Sequence, residues 1–141
     1  MRHRILQTGA IGVFLFSVLY AQASRSVWDG VYTTQQAARG AALYAEDCAS
    51  CHADDLLGSG HMPALTGNDF RKEWEGQSVG DLFDRMSTSM PADRPGKLSK
   101  EVDADILAFI LKSNDYPAGS AELKPSVADL NQIRFIAAKT N

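Results

Sequence analysis

The chain has 141 residues with 14 Lys+Arg against 17 Asp+Glu, a formal charge of −3. That balance gives no basic surface for nucleic acid or for an anionic membrane, and it suits a cationic patch on a partner protein or simple solubility. There are two cysteines and no second Cys/His pair, so the paired motifs of a zinc site are missing.

Arg2 and Arg4 precede an apolar run from Gly9 to Tyr20, and Ala21-Gln22-Ala23 has the small-x-small form of a processing site. Residues 1–23 are therefore expected to be a signal peptide, and the protein to be periplasmic or otherwise exported. The run falls short of the roughly 20 residues that a span needs, so no membrane span is expected after cleavage; retention of the segment as an anchor is the alternative. Removing Arg2 and Arg4 from the 14 basic residues leaves 12 against 17 acidic ones. The remainder from Ser24 has the size of one small domain, without internal repeat or low-complexity tract.

Thr33-x-x-Gln36 has capping-box form, and Ala37, Gly40, Ala41, Tyr44 and Cys48 recur at helical spacing. This first predicted helix delivers Cys48-Ala49-Ser50-Cys51-His52, the attachment signature of a c-type haem. Residues three and four apart share a helical face, so two thiols and one imidazole can meet a single planar ligand. The thiols would add to the haem vinyl groups as thioethers while His52 ligates the iron. A redox-active Cys-x-x-Cys pair is the competing reading, but it calls for a βαβ context that is missing here.

Ser78-x-x-Asp81 opens a second predicted helix with Val79, Leu82, Phe83 and Met86 on one stripe. It leads to Met90, where Pro91 and Pro95 are expected to hold the segment extended. Met90 is the preferred second axial ligand, a soft thioether that raises the potential relative to two nitrogens. Met86 on the apolar stripe reads as core, and His61 is the stronger-field rival. A third helix is predicted after Ser99, with Val102, Ile106, Phe109 and Ile110 on one face, stopping near Asn114. Leu130, Ile133, Phe135 and Ile136 fit neither helical nor strand period.

Several separate stretches resemble a class I c-type cytochrome, above all the mono-haem cytochromes and cytochrome domains associated with pyrroloquinoline-quinone (quinoprotein) alcohol dehydrogenases. They are Val27-Trp28-Asp29-Gly30-Val31-Tyr32-Thr33, Gln36-Ala37-x-Arg39-Gly40, Pro63-Ala64-Leu65-x-Gly67, Phe70-x-x-x-Trp74, Met90-Pro91-x-x-x-Pro95-Gly96-x-Leu98-Ser99, Ile106 to Leu111 and Pro117-Ala118-Gly119, in that order. The resemblance implies an all-α fold, a small cytochrome c with three main helices and loops wrapped around one covalently bound haem c. Its domain is expected over residues 24–124, followed by a C-terminal extension, 125–141.

The resemblance also implies individual roles. Pro63 would offer its carbonyl to the free ring nitrogen of His52, and Trp74 would donate its indole N–H to a haem propionate. Gly40 and Tyr44 would mark the crossing with the last helix, against Phe109 and Ile110. Arg94 reads as a solvated loop cation, with a propionate as its other partner. Ala53 stands where the family commonly has glycine, and Asp103 where it often has an aromatic residue.

The expected activity is single-electron transfer by a His52/Met90-ligated iron, not catalysis. Expected partners are redox proteins such as a quinoprotein dehydrogenase or a terminal oxidase; a dedicated subunit of such a dehydrogenase is the main alternative to a free shuttle. A haem enzyme or sensor and a thiol/disulfide protein are the others.

Overall fold

The computed structural model describes residues 25–137, so the expected signal peptide lies outside the described residues. Among these, the chain is mostly helical: α1 (Thr34–Asp47), α2 (Ala49–His52), α3 (Gly67–Trp74), α4 (Val79–Ser89), α5 (Lys100–Ser113) and α6 (Val127–Leu130). Two short strands, β1 (Arg25–Ser26) and β2 (Ile133–Arg134), pair in parallel with Arg25 opposite Ile133. No helix among the described residues is long and apolar enough to cross a membrane.

Local chemistry sets the helix starts. Thr33 accepts from Gln36 N at 3.1 Å, but the Gln36 side chain does not return the bond. It is buried and pairs with the Leu123 backbone instead, Nε2 donating at 3.1 Å and Oε1 accepting at 2.8 Å, so half of the expected capping box is diverted into a tertiary contact. Ser78 and Asp81 form the complete box, and Ser99 caps α5 by accepting from Val102 N.

α1 and α5 make the most extensive contact between elements. At their crossing an added Cβ on Gly40 would lie 1.8 Å from the Asp105 carbonyl oxygen and 3.0 Å from Ile106 N. The neighbours of Gly40 are thus Asp105 and Ile106, one turn before the expected Phe109 and Ile110. Phe109 meets Tyr44, ring centroids 5.3 Å apart. Beside the crossing the Arg39 guanidinium makes a two-pronged bond to Asp105, at 2.7 and 2.8 Å.

Two elements go beyond the three expected helices. α3 occupies Gly67–Trp74, where Thr66 makes no side-chain cap and the apolar signal is confined to Phe70 and Trp74. The tail beyond Pro125 joins the same core: Leu130, Ile133 and Phe135 are buried. Its periodicity is mixed because one helical turn gives way to a strand, where Ile133 and Phe135 point in and Arg134 points out. Phe135 packs on Phe70, Trp74 and Tyr116 at centroid distances of 5.9, 6.1 and 6.2 Å, and its backbone bonds Gly76 and Gln77.

The 1.8 Å approach is to backbone, which no side-chain rotation relieves. Replacing Gly40 by Ala should therefore cost about 3 kcal/mol or more by forcing α1 away from α5. Urea denaturation of the two proteins checks this, and a loss below about 1 kcal/mol would contradict it.

Candidate functional site

α1 ends at Asp47, and Cys48 closes it by donating its N–H to Tyr44 O at 2.9 Å. The same residue opens α2: the N–H groups of Cys51 and His52 both reach Cys48 O, at 3.1 and 2.9 Å. Cys48, Cys51 and His52 are thereby gathered on one helical turn, with Cys51 exposed, Cys48 half-buried and His52 buried.

The loop that follows folds back on this turn. Gly58 N donates to His52 O at 3.0 Å and Ser59 Oγ to Cys51 O at 3.1 Å. His52 Nδ1 lies 2.9 Å from Pro63 O. A carbonyl can only accept, so Nδ1 carries the proton and Nε2 keeps the ring's lone pair for a ligand. Gly58 makes this closure sterically feasible, since a Cβ there would lie 2.3 Å from Met62 O and 2.9 Å from the Pro63 carbonyl carbon.

Asn114 then fixes the far end of the loop. Fully buried at the end of α5, it donates to Leu65 O and Ile110 O, both at 2.9 Å, and accepts from Gly67 N at 3.1 Å. In sequence it reads only as a helix terminus. Its three long-range and local bonds have no linear signature.

Ala53 follows His52 with φ 63° and ψ 159°. That region is nearly confined to glycine, and an alanine there stores on the order of 1–3 kcal/mol. The bonds made to its carbonyl, from Tyr44 Oη at 2.7 Å and Leu56 N at 3.2 Å, hold it in place.

Met90 terminates α4 with an extended backbone and its N–H on Met86 O. The segment beyond is not extended as Pro91 and Pro95 suggested. It makes two successive turns, Arg94 N to Pro91 O and Lys97 N to Arg94 O. Pro95-Gly96 takes the central positions of the second, Gly96 supplying φ +68° in the manner of a type II turn. Met86 packs half-buried against the core; Met90, also half-buried, is not among the side chains packed on that cluster. His61 is exposed.

Trp74 is built into the aromatic cluster with Phe70 and Phe135, and the Arg85 guanidinium stands 5.9 Å from its ring centre. Arg94 is not simply solvated: its guanidinium pairs with Asp47.

Charge around the turn is mostly negative, with Arg94 as the opposing cation. Burial pushes the Cys48 thiol up to about 11, with the Asp47 and Asp103 charges adding to the effect. A thiol so raised is the reverse of the activated cysteine that disulfide exchange requires. Asp103 is only 2% exposed, and its Oδ2 has no hydrogen-bond partner. Burial, then the Asp47 charge, lifts its carboxyl to about 6.

Two outcomes follow from this geometry. Ala53→Gly should relieve the backbone strain and, after the extra chain entropy of glycine, stabilise the protein by about 1 kcal/mol; unchanged urea denaturation would show that the strain is absent. For Asp103, a folded value above the ordinary carboxylate range means that the native state binds the proton more tightly than the unfolded chain. The resulting stability is complete below about pH 4 and is lost as pH rises through about 6. Asp103→Asn keeps the polar burden but not the charge, so it should gain about 2 kcal/mol at pH 7 and little near pH 4. Equal gains at both pH values in urea denaturation would disprove the assignment.

The residues gathered here fit a c-type haem. Two thiols and an imidazole with its Nδ1 already satisfied lie on one turn, and a thioether stands free of the core on a separate loop. Residues 35–110 match the model of the family described as cytochrome c oxidase, cbb3-type, subunit III. No curated protein matches. Among solved structures the chain is similar to the sulfane dehydrogenase SoxCD of Paracoccus pantotrophus, with 25% identity and a TM-score of 0.53, over 77% of this chain and 61% of that one. The chain thus spans less than two thirds of that relative. The family match covers more than half of the sequence and includes Cys48-x-x-Cys51-His52, so the chain belongs to this family of class I c-type cytochromes, electron-transfer proteins that hold haem c covalently through such a pair of cysteines.

Proposed function

We propose that the protein is an exported mono-haem carrier whose iron is held between His52 Nε2 and Met90 Sδ and which passes single electrons without itself being an enzyme. The observation that carries this reading is the His52 ring, buried and fixed at Nδ1 by Pro63 O at 2.9 Å, which leaves one nitrogen to ligate. When bound, the haem supplies a one-electron ferrous/ferric couple.

The chain's residues do the remaining work. Pro63 increases the basicity of the imidazole and fixes its plane. Met90 supplies the soft ligand that favours the reduced iron. Its freedom from the core supports it over Met86, which is engaged in packing. With His52 and Met90 both holding the iron, no position would remain for a substrate, which would separate a carrier from a haem enzyme or gas sensor.

The physiological partner is proposed to be a dehydrogenase. The likeness to a sulfane dehydrogenase structure supports a place beside such an enzyme, and the resemblance to cytochromes of quinoprotein alcohol dehydrogenases points the same way. Its excess of carboxylates suits a cationic partner face. The segment 1–23 is proposed to direct export.

Produced with cytochrome maturation machinery, the protein should be coloured after denaturation and should give a c-type pyridine haemochrome. Its oxidised form should show the far-red charge-transfer band between methionine and ferric iron. Met90→Ala should abolish that band and lower the reduction potential, whereas Met86→Ala and His61→Ala should retain it. Survival of the band in Met90→Ala would sink the ligand assignment, and a colourless protein would sink the whole reading.

A further inference from the structure

The residues around Cys48 include an ion pair that reaches across the chain. Asp47 is the last residue of α1, immediately before Cys48, and its side chain is 9% exposed. Its cationic partner is Arg94, four residues past Met90 and 47 residues away in sequence.

Arg94 sits where the two turns of this loop meet, its N–H closing the first and its carbonyl beginning the second. Fixing its side chain therefore fixes both turns and the chain leading back to Met90. The loop is otherwise poorly anchored: Ala92 through Lys97 are exposed, and Pro91 and Leu98 at its ends contribute its burial. We propose that the Asp47–Arg94 pair is a positioning clip that draws the Met90 loop onto the haem-bearing turn and so maintains the methionine at the iron, a role that rests on the Met90 ligand reading above.

The pair is exposed on its Arg94 side and shielded on its Asp47 side, where the side chain is 9% exposed. Asp103 of α5 lies close enough for its charge and that of Asp47 to repel, and its buried Oδ2 has no partner. Glu46 and Asp93 add further negative charge near Arg94. Arg94 is the cation that faces these carboxylates, so its removal would leave the shielded Asp47 charge unpaired and within reach of the buried Asp103. An ordinary solvated pair would instead contribute little and could be removed without consequence.

The test uses the holoprotein and follows the far-red band against urea, with far-UV circular dichroism reporting the helices. In Arg94→Ala the band should vanish at urea concentrations that leave the helices intact. The ligand-free population at a given concentration should rise about tenfold over wild type, and Arg94→Lys should recover part of the loss. Asp47→Asn should also loosen the band, and Arg94→Ala added to it should do little more, because the two residues act as one unit. Should Arg94→Ala fail to mature, the Lys and Asn variants carry the same comparison. A wild-type band with unchanged urea dependence in these variants would overturn the clip while leaving Met90 as ligand. A wild-type protein without the band would overturn the Met90 reading first and the clip with it.

Discussion

Contact between the backbones of α1 and α5 at Gly40 is the constraint on which the site depends. Only a residue without Cβ lets the Asp105 carbonyl come so near. That approach places Tyr44 against Phe109 and puts the end of α1, with Asp47 and Cys48, beside Asp103 on α5. The haem-bearing turn is therefore not a loop held by its cofactor alone. It is a continuation of the best-packed helix pair, and its orientation is inherited from that crossing.

The parts of this arrangement that were legible in the sequence are local ones. Cys48-x-x-Cys51-His52 needs one helical turn, and the stripes Val79-Leu82-Phe83 and Val102-Ile106-Phe109-Ile110 need one periodicity each. α3 was not legible because its two apolar residues, Phe70 and Trp74, bury against Phe135, which lies 61 positions beyond Trp74. The tail was opaque for the matching reason. Its apolar residues serve first a helical turn and then a strand, and the partner of that strand, Arg25–Ser26, stands at the other end of the described chain. Gln36 shows the same conflict at one residue: the cap predicted locally lost to a buried pair of bonds with Leu123.

The turn residues were partly legible. Pro95-Gly96 carried the signature of a reversal, but the two prolines taken together suggested extension, and hydrogen bonds of Arg94 in both directions decided the matter. Ala53 is a different case. Its sequence identity pointed away from a positive φ, yet two hydrogen bonds to its carbonyl impose one. Local preference yields there because the position is over-determined by neighbours.

The two sides of the site are unequally built. On the His52 side five hydrogen bonds tie the turn and the following loop: His52 Nδ1 donates to Pro63 O, Ser59 Oγ to Cys51 O and Gly58 N to His52 O, while Asn114 of α5 donates to Leu65 O and accepts from Gly67 N. On the Met90 side the chain hangs from the end of α4, two turns and one ion pair. Segments with exposed backbone and little apolar burial open at lower free energy than the core they are attached to. If Met90 ligates the iron as proposed, ligand exchange would accordingly begin from its side, leaving the covalent and imidazole attachments undisturbed. On the proposed ligation the thioether would also be the weaker of the two ligands and the one that favours the reduced iron, so the loop that admits exchange would be the one that tunes the potential.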